Sequence, residues 1–312
     1  MYHKLSVCIV QALRNSQKTV WWLIKIIIPI SLAVSLLQYW GIIEIIANQL
    51  TPLFSVVGLP GESAIVFISS LFLSLYGPIA ILATLTLNMR EITILAVMCL
   101  ISHNMIVETT IQKKTGSSAL IMFSMRIFLS FFTAFVLNLL LPEFVGKSQI
   151  ATISIVYKNI GEMLYNWTQS AGWLALKITF IITGLMTLQN ILKEFKILDL
   201  LSKIFAPLMS IMGLSRESSF LWFVAQTLGL TYGSGVMLEA VKKKEITPHN
   251  ANLLNYHIAI NHSLLEDTLL FVAIGVPALW MIIPRFILAI VVVWIVRGFF
   301  KLSQRKNHIE KG

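Results

Sequence analysis

"LTPLFSVVGLPGES", residues 50–63, returns later in the chain as "FAPLMSIMGLSRES", residues 205–218. Pro52 pairs with Pro207, Gly58 with Gly213, Glu62 with Glu217 and Ser63 with Ser218. The echo continues outward. "LYGP" (75–78) matches "TYGS" (231–234), which sets Tyr76 and Gly77 beside Tyr232 and Gly233. "ISHNMIVETT" (101–110) then matches "INHSLLEDTL" (260–269), so that His103 aligns with His262, Glu108 with Asp267, and Thr109 with Thr268. Gly116 and Gly275, and Arg126 and Arg285, keep the same offset of 159. Apolar matches alone arise easily in a greasy chain, but ordered matches of Pro, Gly, His and Arg do not. An internal repeat decides the architecture: the chain reads as a first half, 1–142, a linker, 143–165, and a second half, 166–312, with a basic C-terminal tail. The polar, aperiodic linker is expected to lead into a short interfacial helix, with Tyr157, Tyr165 and Trp167 at headgroup level.

The composition names the solvent. Of 312 residues, 57% are hydrophobic and 12% charged, and the mean hydropathy is +0.81; soluble domains carry about 25% charge. A span needs about 20 mainly apolar residues. Such runs lie at 19–40, 63–87, 92–112, 118–141, 171–192, 217–238, 251–273 and 276–297, with shorter pieces at 42–57 and 197–212. This is the pattern of an all-α polytopic membrane protein whose first partner is the lipid bilayer. The first run is too long for a signal-peptide core and reads as a retained span. A net charge of +10 invites a nucleic-acid reading, which is set aside because the cations have a topological explanation. Cys8 and Cys99 do not make a disulfide framework.

Lysine and arginine near span ends favour the cytoplasmic side. With both termini cytoplasmic, Lys4, Arg14 and Lys18, Lys113 and Lys114, the lysines at 193, 196 and 203, the run Lys242–Lys244 and the C-terminal cations all fall inside. Arg90, Lys147 and Lys158 fall outside. The first half then begins inside and ends outside, and the second does the reverse. The halves are expected to be inverted-topology repeats, each about three transmembrane helices plus a helical hairpin that either crosses twice or re-enters. The expected location is the inner (cytoplasmic) membrane. Inverted repeats that meet near the midplane, with sites made by discontinuous helices, are a transporter design.

Titratable groups inside such runs cost about 2.5–3.5 kcal/mol each on insertion scales. They therefore face protein or a wet cavity. The expected substrate or ion pathway is His103, Asn104, Glu108 and Arg126, with His262, Glu266, Asp267 and Arg285. A second reading stands beside it, in which Glu108–Arg126 and Asp267–Arg285 are structural pairs tying neighbouring helices. On a regular helix His262 and Glu266 share a face, whereas His103 and Glu108 point roughly 140° apart. No metal site is expected on that spacing, and no cofactor. The pairs Tyr76-Gly77 and Tyr232-Gly233 are expected to break their helices and offer backbone groups to a ligand, or else to pack helices closely. Glu62 and Glu217 at the hairpin tips are candidates for a gate, or simply acids in a helix first turn. No nucleophile elbow, P-loop or zinc-hydrolase motif is present, and no enzyme is expected.

"PLFSVVGLPGES" with "LYGP", and "PLMSIMGLSRES" with "TYGSG", resemble the nucleoside-recognition or Gate domain. That domain occurs in spore maturation membrane proteins, in the membrane part of ferrous iron transporter B and in concentrative nucleoside transporters. Two Gate-like halves in one chain look most like the two spore maturation proteins fused. The resemblance implies a permease-like protein passing a small polar solute, a nucleoside-like molecule or an ion. The alternative is a non-transporting module that docks a membrane partner or assembles an envelope complex, as a homo-oligomer or with another protein. A central cavity at the helix breaks favours the first; dry, tightly paired helices favour the second.

Overall fold

The computed structural model describes residues 2–143 and 159–309, and among these every regular element is helical. In chain order they are α1 (Tyr2–Tyr39), α2 (Ile42–Ser55), α3 (Ser63–Phe72), α4 (Tyr76–Leu82), α5 (Met89–Ser102), α6 (Met105–Lys114) and α7 (Ala119–Leu140). After residue 158 come α8 (Ile160–Glu194), α9 (Ile197–Ile211), a 3-10 turn (Arg216–Ser218), α10 (Ser219–Thr227), α11 (Gly229–Lys242), α12 (Pro248–Ile260), α13 (Glu266–Val272) and α14 (Ala278–Ile309).

Among the described residues four stretches are long and apolar enough to cross a membrane: Met89–Lys114, Ala119–Leu140, Ile160–Glu194 and Ala278–Leu302. They do not stand alike. In its most apolar window Met89–Lys114 is 83% buried within the protein, whereas Ala278–Leu302 is 28% buried. The first is a central element; the second turns Leu279, Ile287, Trp294 and Phe299 outward, as a lipid-facing helix does.

Four of the eight apolar runs are broken: 63–87, 92–112, 217–238 and 251–273 become α3/α4, α5/α6, α10/α11 and α12/α13. The Tyr-Gly pairs predict the breaks in 63–87 and 217–238; those in 92–112 and 251–273 are not predicted. A ten-residue helix such as α3 reaches only about 15 Å, half of the hydrocarbon core. Hydropathy cannot see such breaks, because their residues remain mostly apolar.

The repeated Gly-Leu pair has a structural cause. Gly58 and Gly213 stand just past α2 and α9 at φ 73° and 75°. Leu59 N–H donates back to Phe54 O at 3.0 Å and Leu214 N–H to Met209 O at 2.8 Å. This is the left-handed helix stop that glycine makes without a Cβ penalty. Other ends are capped by side chains: Asn88 and Glu91 form a reciprocal capping box on α5, and Thr247 accepts from Asn250 N–H at 3.2 Å before Pro248 opens α12.

Packing crosses between the halves. α1 lies along α8, where Trp167 donates to Ser31 Oγ at 2.8 Å. α12 meets α5, α6 and α7, and Asn255 donates to Thr115 Oγ1 and Ser117 Oγ at 2.9 and 2.8 Å. Trp167 is thus a packing residue of a long helix rather than part of a short interfacial one. α8 also takes in 160–165, which the sequence placed in the linker; its start is set by Asn159, which accepts from Glu162 N–H at 2.9 Å. Most of the linker, with Tyr157, lies outside the described residues.

Candidate functional site

α5 ends in a short-range conflict. Ser102 Oγ donates to Met98 O at 2.7 Å and closes the last turn, His103 is extended, and Asn104 adopts φ 49°. Asparagine tolerates that left-handed conformation better than most residues. The Asn104 N–H then donates across to Ser70 O and Leu73 O, at 2.8 and 3.1 Å, where α3 stops. The second half repeats the device. Ser263, which aligns with Asn104, has φ 48°, and its N–H donates to Ala225 O at 3.0 Å near the end of α10. Gln226 Nε2 donates to Asn261 O at 2.6 Å. Each buried break thus keeps backbone groups bonded where water is scarce, as burial demands.

These breaks correct the spacing argument. His103 and Glu108 do not point apart, because no regular helix runs through Asn104. His103 Nε2 and His262 Nε2 each lie 3.2 Å from Glu108 Oε1, and His103 Nε2 lies 3.5 Å from Asp267 Oδ2. The two imidazole centroids are 5.0 Å apart. Conversely, His262 and Glu266 do not share a helix face, since α12 has ended before His262 and α13 starts at Glu266. Glu266 instead accepts from Tyr76 O–H at 2.7 Å, a bond between the halves.

The two arginines are fully buried but bonded differently. Arg126 donates to Ile101 O (2.7 Å) and His103 O (2.8 Å), carbonyls set free where α5 ends. Its Nη2 is 2.8 Å from Glu108 Oε2, an ion-pair distance without hydrogen-bond alignment. The expected Glu108–Arg126 pair is therefore present. Its expected mate is not: among the described residues no ion pair joins Asp267 to Arg285. Arg285 donates to Met281 O in its own helix and to Thr268 Oγ1, at 2.9 and 3.2 Å. Buried Asp267 Oδ2 consequently has no hydrogen-bond partner among the described residues.

The Tyr-Gly positions also shift. The break precedes Tyr76, at Leu73–Leu75, and Tyr76, Gly77 and Pro78 form the first turn of α4, where a proline's missing N–H is harmless. In the second half the break falls at Leu228–Gly229, with Gly229 at φ 76°. The backbone at Tyr232 and Gly233 is helical, and their side chains lie outside the described residues.

A cavity of about 340 Å³ opens where these parts converge. Tyr76, His103, Asn104, Glu108, His262, Glu266 and Asp267 line it. Arg126 and Arg285 stand behind the wall. Glu62 and Glu217 are not brought to it: Glu62 directly precedes α3, and Glu217 is exposed in the 3-10 turn before α10. Both placements suit acids at a helix N-terminus. Lining residues missed in the sequence include Ser74, Val107, Leu228 and Ser263. Only Ser263 carried a signal, as the aligned mate of Asn104. The wall offers carboxylates, imidazoles and a phenol, which can bind a cation or a polar solute and relay protons. Nε2 of both histidines and a carboxylate oxygen of Asp267 lie within 4.8 Å of one another, close enough to share a metal ion. The expectation of no metal site assumed regular helices that the protein does not have.

A family model described as Gate, nucleoside recognition, matches residues 20–140. An uncharacterized membrane protein of Bacillus subtilis (strain 168), YvoD, is 31% identical over 271 residues, which span 86% of this chain and 87% of the relative. No solved structure matches. A Gate match over α1–α7 and an alignment through nearly all of a second membrane protein, set beside the buried central helices and outward apolar faces, place the chain in the Gate (nucleoside-recognition) family of membrane proteins.

Proposed function

We propose that this Gate-family protein is a permease of the cytoplasmic membrane, moving a small polar solute, a nucleoside-like molecule or an ion. The observation that carries this is the polar cavity at the meeting point of four broken helices, two from each half. Its volume of about 340 Å³ is at the small end of ligand pockets, about 300–1,000 Å³, and suits an ion or compact solute best. The cavity counts against a dry docking module. In this reading the halves 1–142 and 166–312 are inverted repeats with both termini cytoplasmic. The recurring order of elements and the aligned left-handed residues Asn104 and Ser263 support it. Discontinuous helices that present backbone ends and charged groups to a shared site are how inverted-repeat transporters hold their cargo. The pathway residues are His103, Asn104, Glu108, Tyr76, His262, Glu266 and Asp267, with Arg126 holding Glu108.

The test is uptake into proteoliposomes of a panel of polar solutes and ions, with and without a pH gradient. At least one should be taken up, and Glu266→Gln, which keeps the shape of the wall, should slow it. No uptake of any solute by protein that remains monodisperse, or uptake indifferent to Glu266→Gln and Glu108→Gln alike, would overturn the assignment.

A further inference from the structure

We propose that His103, His262 and Asp267, with Glu108 beside the two imidazoles, form a binding site for a divalent transition-metal ion; this rests on the same cavity but not on transport. The other nitrogen of each ring is bonded within its own helix. His103 Nδ1 lies 3.1 Å from Cys99 O and His262 Nδ1 lies 2.7 Å from Ile258 O, each four residues back in its own helix. A carbonyl only accepts, so in both rings the proton is on Nδ1. In the neutral ring that leaves a lone pair on each Nε2, and each Nε2 lies within 3.5 Å of a carboxylate oxygen. Oxygen and nitrogen acceptors at 3.2 Å repel one another unless a cation lies among them.

The spacing selects the cation. Four ligands at tetrahedral corners, bonded at about 2.0–2.1 Å, are separated from one another by about 3.3 Å. The separations Nε2–Oε1, Nε2–Oε1 and Nε2–Oδ2 are 3.2, 3.2 and 3.5 Å, and His103, His262 and Asp267 each bring a ligand atom within 4.8 Å of the others. Two imidazoles and a carboxylate, with Glu108 beside both rings and no thiolate, suit borderline ions such as Zn²⁺, Co²⁺, Mn²⁺ or Fe²⁺. The outer shell fits as well. Carbonyl acceptors at Nδ1 fix tautomer and ring orientation, and Arg126 holds the far oxygen of Glu108 while Oε1 faces the imidazoles. Asp267 is 7% exposed, and its Oδ2 has no hydrogen-bond partner among the described residues, so the acid held neither by Arg126 nor by Tyr76 is the one turned to this point. His103 comes from the first half, His262 and Asp267 from the second. A bound ion therefore ties the halves together at their breaks.

The experiment uses the purified full-length protein in detergent, stripped with chelator, titrated with Co²⁺ and separately with Zn²⁺. One equivalent of Co²⁺ should give the intense visible bands of tetrahedral coordination. Zn²⁺ should displace it, and Zn K-edge absorption should show N and O neighbours at about 2.0 Å. His262→Gln and Asp267→Asn should each weaken binding by more than about 100-fold, beyond what loss of an outer-shell partner costs, while His249→Ala, outside the site, should not. The wild-type spectra need no variant, so a misfolded mutant does not shield the proposal. Absence of the Co²⁺ bands at one equivalent, or six-coordinate oxygen-only spectra, would overturn it in favour of a shared proton. So would affinity unchanged in both ligand variants. Binding without any uptake would leave the site standing and remove the permease reading; uptake of an organic solute without metal binding would do the opposite.

Discussion

In the first half Arg126 caps the carbonyls of Ile101 and His103 and lies 2.8 Å from Glu108. In the second half the aligned Arg285 reaches back to Met281 and across to Thr268, leaving Asp267 to face His103 at 3.5 Å. The parts are the same and the backbone turns at Asn104 and Ser263 are nearly identical, at φ 49° and 48°. What differs is where the charge is spent. In the first break Arg126 lies against the carboxylate. In the second the carboxylate faces the cavity with no arginine among the described residues within ion-pair distance. Repetition supplies two similar scaffolds, and their wiring is unequal.

That comparison breaks most sharply at the arginines. Arg126→Ala strands Glu108 and two carbonyls in the interior, at a cost of about 3–5 kcal/mol as for other severed buried pairs. Arg285→Ala loses two bonds to neutral acceptors and a longer-range attraction to Asp267, about 1–3 kcal/mol. Thermal unfolding in detergent, followed by loss of the monodisperse peak, should rank Arg126→Ala well below Arg285→Ala; equal losses would mean that the two breaks are wired alike after all.

The helix stops offer a smaller contrast of the same kind. A Cβ at Gly58 would lie 2.0 Å from Asn138 Oδ1, while one at Gly213 would lie 3.0 Å from Val293 Cγ1. Asn138 is held in place by Arg90, whose Nη2 donates to its Oδ1 at 2.8 Å. Gly58→Ala should cost about 2–4 kcal/mol, from left-handed strain plus overpacking. Gly213→Ala should cost little beyond the strain, about 1–2 kcal/mol. Unfolding midpoints of the two variants decide it.

A double-mutant cycle on Tyr76→Phe and Glu266→Gln should show coupling of about 1 kcal/mol, as for directly bonded residues. Additive effects would mean that this contact does not hold the halves together. The least effect is expected at the turns. Ser263→Gly should raise stability slightly, by up to about 1 kcal/mol, because serine is poorly suited to positive φ, and Asn104→Gly should raise it less. The opposite order would show that the Ser263 side chain contributes more than its backbone strain costs.

Much of this was legible in the chain. The repeat placed Gly58 with Gly213 and His103 with His262, and hydropathy marked the solvent. The members of the cluster, His103, Glu108, His262 and Asp267, could be named because charge in an apolar run is costly wherever it occurs. Their mutual geometry was not legible. It depends on one left-handed residue in each half, and Asn104 and Ser263 look unremarkable in a run that reads as helix. The unequal wiring of Arg126 and Arg285 depends on how α7 and α14 are rotated, which pattern alone does not encode. The start of α8 was hidden for a local reason: Asn159 caps it earlier than the polarity of 160–165 suggests.

The central claim is that the breaks enclose a water-accessible cavity open to cargo. Ser74 lines that cavity, whereas Cys99 in neighbouring α5 is 0% exposed. The direct measurement is the reaction of Ser74→Cys, in a Cys8→Ser background reconstituted in liposomes, with a charged thiol reagent that does not cross membranes. The account predicts rapid modification at position 74 while Cys99 stays unmodified. A cysteine at 74 as inert as Cys99, from both sides of the membrane, would contradict it.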